Sequence, residues 1–347
     1  SGIYYAPGSV KARTCRRGIG DLLAFADEYD IPYEICGKLI VATTKAEIPR
    51  LESLENRGRA NGLKGLKRIP ADGIADYEPH VKGLAALWVP ETGIIDYTLV
   101  TEKLRDDVIR RGGIIVYEAP VTNLIADGSE WILVTEQDTY AAGSVITCAG
   151  LQSDTLARAT ETDLDMRILP FRGEYYTLKS DRRDVVRNLI YPVPDPRYPF
   201  LGVHFTRRIT GEVEAGPNAV LALKKEGYGK WDVSFPDLGR MMGFKGAWCL
   251  AQEHWKTGLA EQWRSWVKPA FVRALQKLIP ELTAADITTG GSGVRAQAVD
   301  RQGKLLDDFY FLRRDNLLHV INAPSPAATA SLAIARQIVS QLNDGVV

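Results

Sequence analysis

Asn322-Ala-Pro-Ser-Pro-Ala-Ala-Thr329 is the densest chemical signal in this sequence. Small residues follow the apolar run Leu317 to Ile321 and lead into a helical pattern, with Ser325 as the expected N-cap and Pro326 at the first helical position. Pro324, Ser325, Ala327, Ala328 and Thr329 let a ligand approach the backbone. A helix N-terminus offers N–H groups and partial positive charge to a phosphate, a carboxylate, or an oxygen that gains charge during reaction. A well-capped terminal helix packed on a sheet explains the same pattern. Thr147-Cys-Ala-Gly-Leu-Gln-Ser-Asp154 is a second turn of this kind, where Ala149 and Gly150 leave room for a nucleotide at a strand end. Any tight strand-to-helix turn uses glycine in the same way.

Three cations stand in apolar strand contexts: Lys38 in Ile35-Cys-Gly-Lys-Leu-Ile, Arg172 in Pro170-Phe-Arg-Gly-Glu, and Arg295 in Gly293-Val-Arg-Ala-Gln. A buried cation needs a partner, and an anionic substrate is one; an internal ion pair, such as Arg172 with Glu174 or Arg295 with Asp300, is the other. His204, in Phe200-Leu-Gly-Val-His-Phe-Thr206, is the one histidine of four with apolar strand neighbours. It can serve as a general base or as a hydrogen-bonded core histidine. His80 and His254 read as surface residues and His319 as structural. No GxxxxGK[ST], GxSxG or HExxH segment is present, and the four cysteines form no CxxC or His/Cys cluster, so no metal site is expected.

The elements that must position these residues follow from periodicity. Helices are expected over about 11–29, 45–62, 71–77, 98–111, 236–279 and 326–342. Strands are expected at 38–42, 84–89, 114–117, 121–126, 131–136, 144–150, in β-type runs between 169 and 223, and at 293–297, 309–312 and 317–321. The mixture implies an α/β layer interrupted by a β-rich domain. Trp248, Trp255, Trp263 and Trp266 are most simply aromatic anchors of a helical core; a membrane-surface contact is the sharper alternative.

At 347 residues the chain has length for about two domains. Its 43 Lys+Arg balance 43 Asp+Glu, which removes the counterion-release drive for nucleic-acid binding. No apolar stretch approaches the ~20 residues of a membrane span. The scattered cysteines suit a reducing, cytoplasmic compartment. The sequence opens on Ser1 without signal-peptide features and is expected to be a stretch of a longer parent.

The blocks Ser1-Gly-Ile-Tyr-Tyr-Ala-Pro-Gly-Ser9, Cys36-Gly-Lys-Leu-Ile-Val-Ala42, Thr92-Gly-Ile-Ile-Asp-Tyr97, Pro170-Phe-Arg-Gly-Glu-Tyr175, Gly216-Pro-Asn-Ala-Val-Leu-Ala-Leu-Lys-Lys-Glu-Gly-Tyr228, Gly293-Val-Arg-Ala-Gln-Ala-Val-Asp300 and Asn322 to Thr329 occur in order from end to end. Together with Ile190 to His204 they resemble the L-2-hydroxyglutarate dehydrogenase (oxidase) family, FAD-dependent oxidoreductases of the D-amino-acid-oxidase type. The resemblance implies a glutathione-reductase-like FAD domain (1–30, 112–165 and 288–347) interleaved with a mostly antiparallel substrate domain (31–111 and 166–287). The family's strand, GxGxxG turn, helix and ribose-binding acid, and a His after them, precede the segment matching Ser1-Gly-Ile, so the FAD domain is expected to be N-terminally truncated here.

The implied reaction is oxidation of L-2-hydroxyglutarate to 2-oxoglutarate with hydride passing to FAD and electrons to a quinone or oxygen. The alternatives are a non-catalytic fragment of such an enzyme or a related 2-hydroxy-acid or amino-acid oxidase. The implied site has Arg172, Arg295 and Lys38 around the carboxylates, Tyr5, Tyr175 and Asn322 as further substrate contacts, and His204 as base. Val121, Ala149, Gly150, Pro324, Ser325, Ala327, Ala328 and Thr329 would touch FAD. A peripheral contact with the inner face of the cytoplasmic membrane belongs to the same reading.

Overall fold

The computed structural model describes residues 1–161, 163–195 and 202–343, and the chain divides into two compact units. The first comprises Ser1–Tyr97, Arg172–Val220 and Lys256–Gly293; the second comprises Thr98–Phe171, Leu221–Trp255 and Val294–Val347. These boundaries differ from those expected: residues 1–30 fall with the Lys38 strand rather than with the C-terminal strands, and residues 98–111 and 221–255 fall in the second unit.

The first unit is built on one sheet. Seven of its nine strands run in the order Met166–Leu178, Val213–Gly216, His204–Arg207, Leu189–Pro192, Lys38–Ala42, Ala85–Val89 and Lys67–Pro70, and Val220–Leu221 and Ile287–Asp300 both pair with Met166–Leu178. Among the seven, all neighbours are antiparallel except Leu189–Pro192 with Lys38–Ala42, which is parallel. Side chains alternate between faces along each strand. Leu39, Val41, Ile190, Phe205, Val213 and Ala215 point to one core, which Phe271, Leu275 and Ile279 close from the helix Lys268–Leu275 and the turn after it. Ile40, Ala42, Leu87, Val89 and Val193 point to the opposite face, covered by Leu51 and Leu54 of the helix Ile48–Ala60 and by Ile3. Lys38 shares this second face, because it stands two residues before Ile40.

The second unit holds a pair of parallel strands, Val145–Thr147 and Leu317–Asn322, in the register Leu317↔Val145 and His319↔Thr147, with Tyr310–Arg314 antiparallel on the other side. The helix Ser331–Asn343 covers this sheet by packing Ile334 and Ile338 on Leu318 and Val320. A three-stranded meander, Asn123–Asp127, Glu130–Val134 and Thr139–Ala142, packs through Trp131, whose indole Nε1 donates to Asn316 Oδ1 at 2.7 Å.

Five expectations are corrected. Residues 114–117 form no strand; Ile114 is 88% exposed and pairs with nothing, so an apolar run without a neighbouring ladder stays extended coil. The last helix begins at Ser331, not Pro326. Residues 324–331 wind instead through turns closed by Ala327 N to Pro324 O, Ala330 N to Pro326 O and Ser331 N to Ala328 O. The cluster that holds the helix on the sheet begins at Ala330 and continues through Ile334 and Ile338. The stretch 236–279 is three helices, Phe235–Met242, Lys245–Trp266 and Lys268–Leu275. Its tryptophans are not core: Trp248, Trp255, Trp263 and Trp266 are each about half exposed, because Phe244, Leu250 and Phe271 fill the interior instead. Finally, the expected strand from Phe200 begins at His204; residues 200–201 lie outside the described residues.

Candidate active site

Lys38 opens the central strand of the first unit directly after Gly37, whose φ of +79° and contact with the Trp88 ring leave no room for a side chain. The Lys38 side chain is buried, with its ammonium over two aromatic faces, 4.5 Å from the Tyr4 ring centroid and 4.9 Å from that of Tyr191. Cation–π attraction of this kind partly replaces lost hydration. Among the described residues no carboxylate or hydrogen-bond acceptor meets Lys38. Burial pulls its pKa down to about 7, while the buried Cys15 thiol acts weakly the other way.

Tyr191 lies on the neighbouring parallel strand, on the same face as Lys38. Burial pushes its phenol up to about 12, so it stays protonated. His204 stacks on it, with ring centroids 4.0 Å apart and planes at 16°. His204 is half-buried at the first residue of its strand, not a core histidine as its apolar neighbours suggested. Its Nδ1 lies 3.0 Å from Gly202 O, which can only accept, so the proton belongs on Nδ1 and the lone pair on Nε2. Gly216 faces His204 across the ladder, and a Cβ there would meet Tyr175 Cδ1 at 3.2 Å. Lys38, Tyr191, His204 and Tyr175 therefore converge from four strands onto one sheet face.

Sequence reasoning chose Tyr5 where the structure brings Tyr4. The Tyr5 ring sits under Lys11 Nζ at 5.4 Å, whereas the Tyr4 ring takes Lys38 and its hydroxyl is buried without a hydrogen-bond partner. Tyr4 and Tyr191 were both missed. The adjacent tyrosines of Ile3-Tyr-Tyr5 were the available signal for Tyr4, and only register reveals Tyr191.

Arg172 and Arg295 have other surroundings. The Arg172 guanidinium is buried and held by Glu174, Nε at 3.2 Å and NH2 at 3.0 Å from Oε1, the ion pair that the sequence left open. Asn218 completes this group by donating Nδ2 to Glu174 Oε2 at 3.0 Å and accepting Glu174 N–H at 2.8 Å. Tyr176, two residues beyond Glu174, packs against the Phe271 side of the sheet, so alternation points Arg172 and Glu174 away from Lys38. Arg295 lies in the second unit and is exposed, so its apolar sequence neighbours did not bury it.

In the second unit the carboxyl ends of two parallel strands carry the small-residue turns. Cys148-Ala149-Gly150 follows Thr147, with Gly150 at φ +53° and nothing within 4 Å of where its Cβ would stand. Asn322 ends the other strand and is 1% exposed. Its Nδ2 donates to Leu306 O at 3.1 Å and Asp308 O at 2.8 Å, and its Oδ1 is buried with no donor. His319 behind them is structural: Nδ1 meets Thr147 Oγ1 at 2.7 Å and Nε2 meets Thr160 Oγ1 at 2.9 Å, and burial lowers its pKa. Val121 stands outside the strands and packs beside Leu124 and Trp131.

A family model described as FAD dependent oxidoreductase matches residues 1–341. The chain belongs to the FAD-dependent oxidoreductase family. The L-2-hydroxyglutarate dehydrogenase of Indibacter alkaliphilus is 49% identical over 335 residues, covering 96% of this chain and 84% of that protein. That of Escherichia coli K12 is 42% identical over 99% of this chain and 81% of its own length, and the human mitochondrial one is 42% identical over 99% and 78%. FAD-bound L-α-glycerophosphate oxidase from Mycoplasma pneumoniae has the same fold, with a TM-score of 0.79 at 20% identity over 99% of this chain and 82% of that one. Glycine oxidase from Geobacillus kaustophilus follows at 0.68 and 15%, over 97% and 80%. Family and fold agree with the expected mixed α/β flavoenzyme architecture. The strand-end turns fit the family's cofactor: Gly150 leaves open space where a side chain would stand, and the orphaned Asn322 Oδ1 is an acceptor awaiting an N–H or O–H donor.

Proposed function

We propose that this chain is an FAD-dependent L-2-hydroxyglutarate dehydrogenase that produces 2-oxoglutarate. The observation that carries the reading is Lys38, a buried ammonium with no anion among the described residues, in a chain whose relatives at 42–49% identity bear that name. A substrate carboxylate supplies the missing partner. Tyr175, on the same sheet face as Lys38, is a further neutral contact, whereas Arg172 is held by Glu174 on the other face and Tyr5 lies with Lys11, so neither is proposed for this substrate.

FAD, when bound, accepts the hydride from C2 of the hydroxy acid. Ala149, Gly150, Asn322 and the turn Pro324 to Thr329 would hold it, with Val121 beside the adenine; the second unit is the proposed FAD domain and the first the substrate domain. His204 Nε2 takes the hydroxyl proton as the C–H bond is lost, and the Nδ1–H bond to Gly202 O keeps that lone pair on Nε2. Lys38 orients the substrate so that the hydroxyl meets His204.

The test is a visible spectrum of the FAD-loaded protein under anaerobic conditions. L-2-hydroxyglutarate is expected to bleach the flavin band while the D-isomer leaves it unchanged. Oxygen and a soluble quinone, added separately afterwards, report the electron acceptor. Bleaching by neither isomer would sink the reading.

The acceptor and the location form one further part of this proposal, a cytoplasmic protein resting on the inner membrane face and passing electrons to a quinone. In the second unit Trp231 and Phe235 are 80% and 82% exposed, and Met242, Trp248 and Trp255, which follow in the same stretch of sequence, are each about half exposed. Exposed tryptophans of this density suit a lipid–water interface, with Lys230 and Lys245 close in sequence for anionic headgroups. No helix among the described residues is long and apolar enough to cross a membrane. The protein is expected to float with anionic vesicles, and Trp231→Ala with Phe235→Ala to reduce the bound fraction about tenfold. Unchanged flotation would remove this surface from the account.

A further inference from the structure

The Tyr4 hydroxyl is buried with no hydrogen-bond partner, and the ring that carries it lies 4.5 Å under the Lys38 ammonium. Burying a hydroxyl unpaired is unfavourable, so a native orphan calls for an explanation. The chain around it is held with care. Helix Ile48–Ala60 ends at Asn61, and residues 57 and 61 lie one turn apart on the same helical face. Arg57 NH1 donates to Tyr4 O at 2.7 Å, and Asn61 Nδ2 donates to Gly2 O at 3.0 Å and Tyr5 O at 2.9 Å. Between them Gly58 brings the helix so close that a Cβ would meet Ile3 Cγ1 at 3.1 Å and Leu66 Cδ1 at 2.8 Å. Three side-chain bonds and a glycine contact thus fix four residues of irregular backbone, among which the Tyr4 side chain is left with a buried, unpartnered hydroxyl.

We propose that the Tyr4 hydroxyl donates to the same substrate carboxylate that Lys38 binds, and that Asn61 is the positioning residue that holds it there. The inference rests on the hydroxy-acid reading above. A carboxylate has two oxygens, one for each donor, and the pair would distinguish it from a neutral group that the ammonium alone could not reject. No proton is transferred by Tyr4; burial keeps its phenol protonated, far above neutral pH.

Tyr4→Phe removes one oxygen and keeps the ring under Lys38, so it separates the two roles that a buried hydroxyl can have. The expected result is a KM for L-2-hydroxyglutarate and a Kd for 2-oxoglutarate that rise about tenfold, equal to about 1.4 kcal/mol, with kcat and bound FAD unchanged. Without its orphan the free protein should melt higher, by about 2 °C. Asn61→Ala should raise KM in the wild-type background and add nothing in the Tyr4→Phe background, since both act through one hydroxyl. A Tyr4→Phe protein whose KM and Kd stay within twofold of wild type overturns the proposal. Wild-type protein that binds 2-oxoglutarate but turns over no L-2-hydroxyglutarate would refute the functional reading while the Kd comparison still decides Tyr4.

Discussion

Lys38→Met is expected to raise the KM for L-2-hydroxyglutarate by about 30- to 150-fold while making the protein more stable to heat. A hydrogen bond to a buried charge contributes about 2–3 kcal/mol, which gives that factor. The opposite effect on stability follows from the same burial. The Lys38 amine titrates near 7 in the folded chain, against about 10.4 for an unfolded lysine. Between those two values the unfolded chain binds more protons, so wild-type stability climbs with pH through this window and is flat below it. At pH 7 and below, the cost of keeping the ammonium buried is on the order of a few kcal/mol, and methionine, similar in length and uncharged, abolishes it.

The melting temperature of Lys38→Met should therefore exceed that of wild type most at pH 7 and below, and the gap should close toward pH 10. Substrate affinity moves the other way. The ammonium form binds a carboxylate, so wild-type KM should climb as pH rises above 7, and the variant's KM should show no such slope. Melting curves and initial rates from pH 6 to 9.5 test both arms. A variant with wild-type KM, or one that is less stable at pH 6, would show that Lys38 is not an anion-seeking buried cation.

His204→Phe is expected to lower kcat by about 10²- to 10⁴-fold, the usual range for loss of a positioned proton acceptor. Phenylalanine keeps an aromatic ring against Tyr191, so KM and FAD content should stay near wild type. Rapid-mixing measurement of flavin bleaching isolates this step from reoxidation. If His204→Phe keeps kcat while Lys38→Met loses it, the lysine amine takes the proton and the histidine is a packing residue. The two variants therefore assign acid–base and anion-binding roles by separate readouts.

How much of this was legible in the sequence depends on the range of the interaction. Local patterns placed the helix Val10–Glu28, the strand Lys38–Ala42, the helix Ile48–Ala60 and the strand Leu317–Asn322 close to where they lie. In each, apolar spacing, an Asn-Gly or Asp-Ile-Pro stop, or a run of aliphatics acts over a few residues. The ordered blocks from Ser1-Gly-Ile to Asn322-Ala-Pro carried the family, because many short matches in one order rarely arise otherwise. Lys38 itself was visible as a cation inside an aliphatic strand.

Tertiary structure decided what surrounds that cation. Two-residue alternation set Arg172 apart from Lys38, and strand order brought Tyr191 under Lys38 and stacked His204 on Tyr191, both from positions more than 150 residues away from Lys38. A clamp from Arg57 and Asn61 selected Tyr4 over Tyr5, although the two are adjacent and identical in type. The tryptophans of Lys245–Trp266 face outward because Phe244, Leu250 and Phe271 had already filled the interior, a competition for volume that periodicity does not report. Sequence alone thus determined which residues are apolar, charged or turn-forming, and through them the elements and the family. Register and packing determined which of those residues meet, since contact across strands depends on neighbours far along the chain.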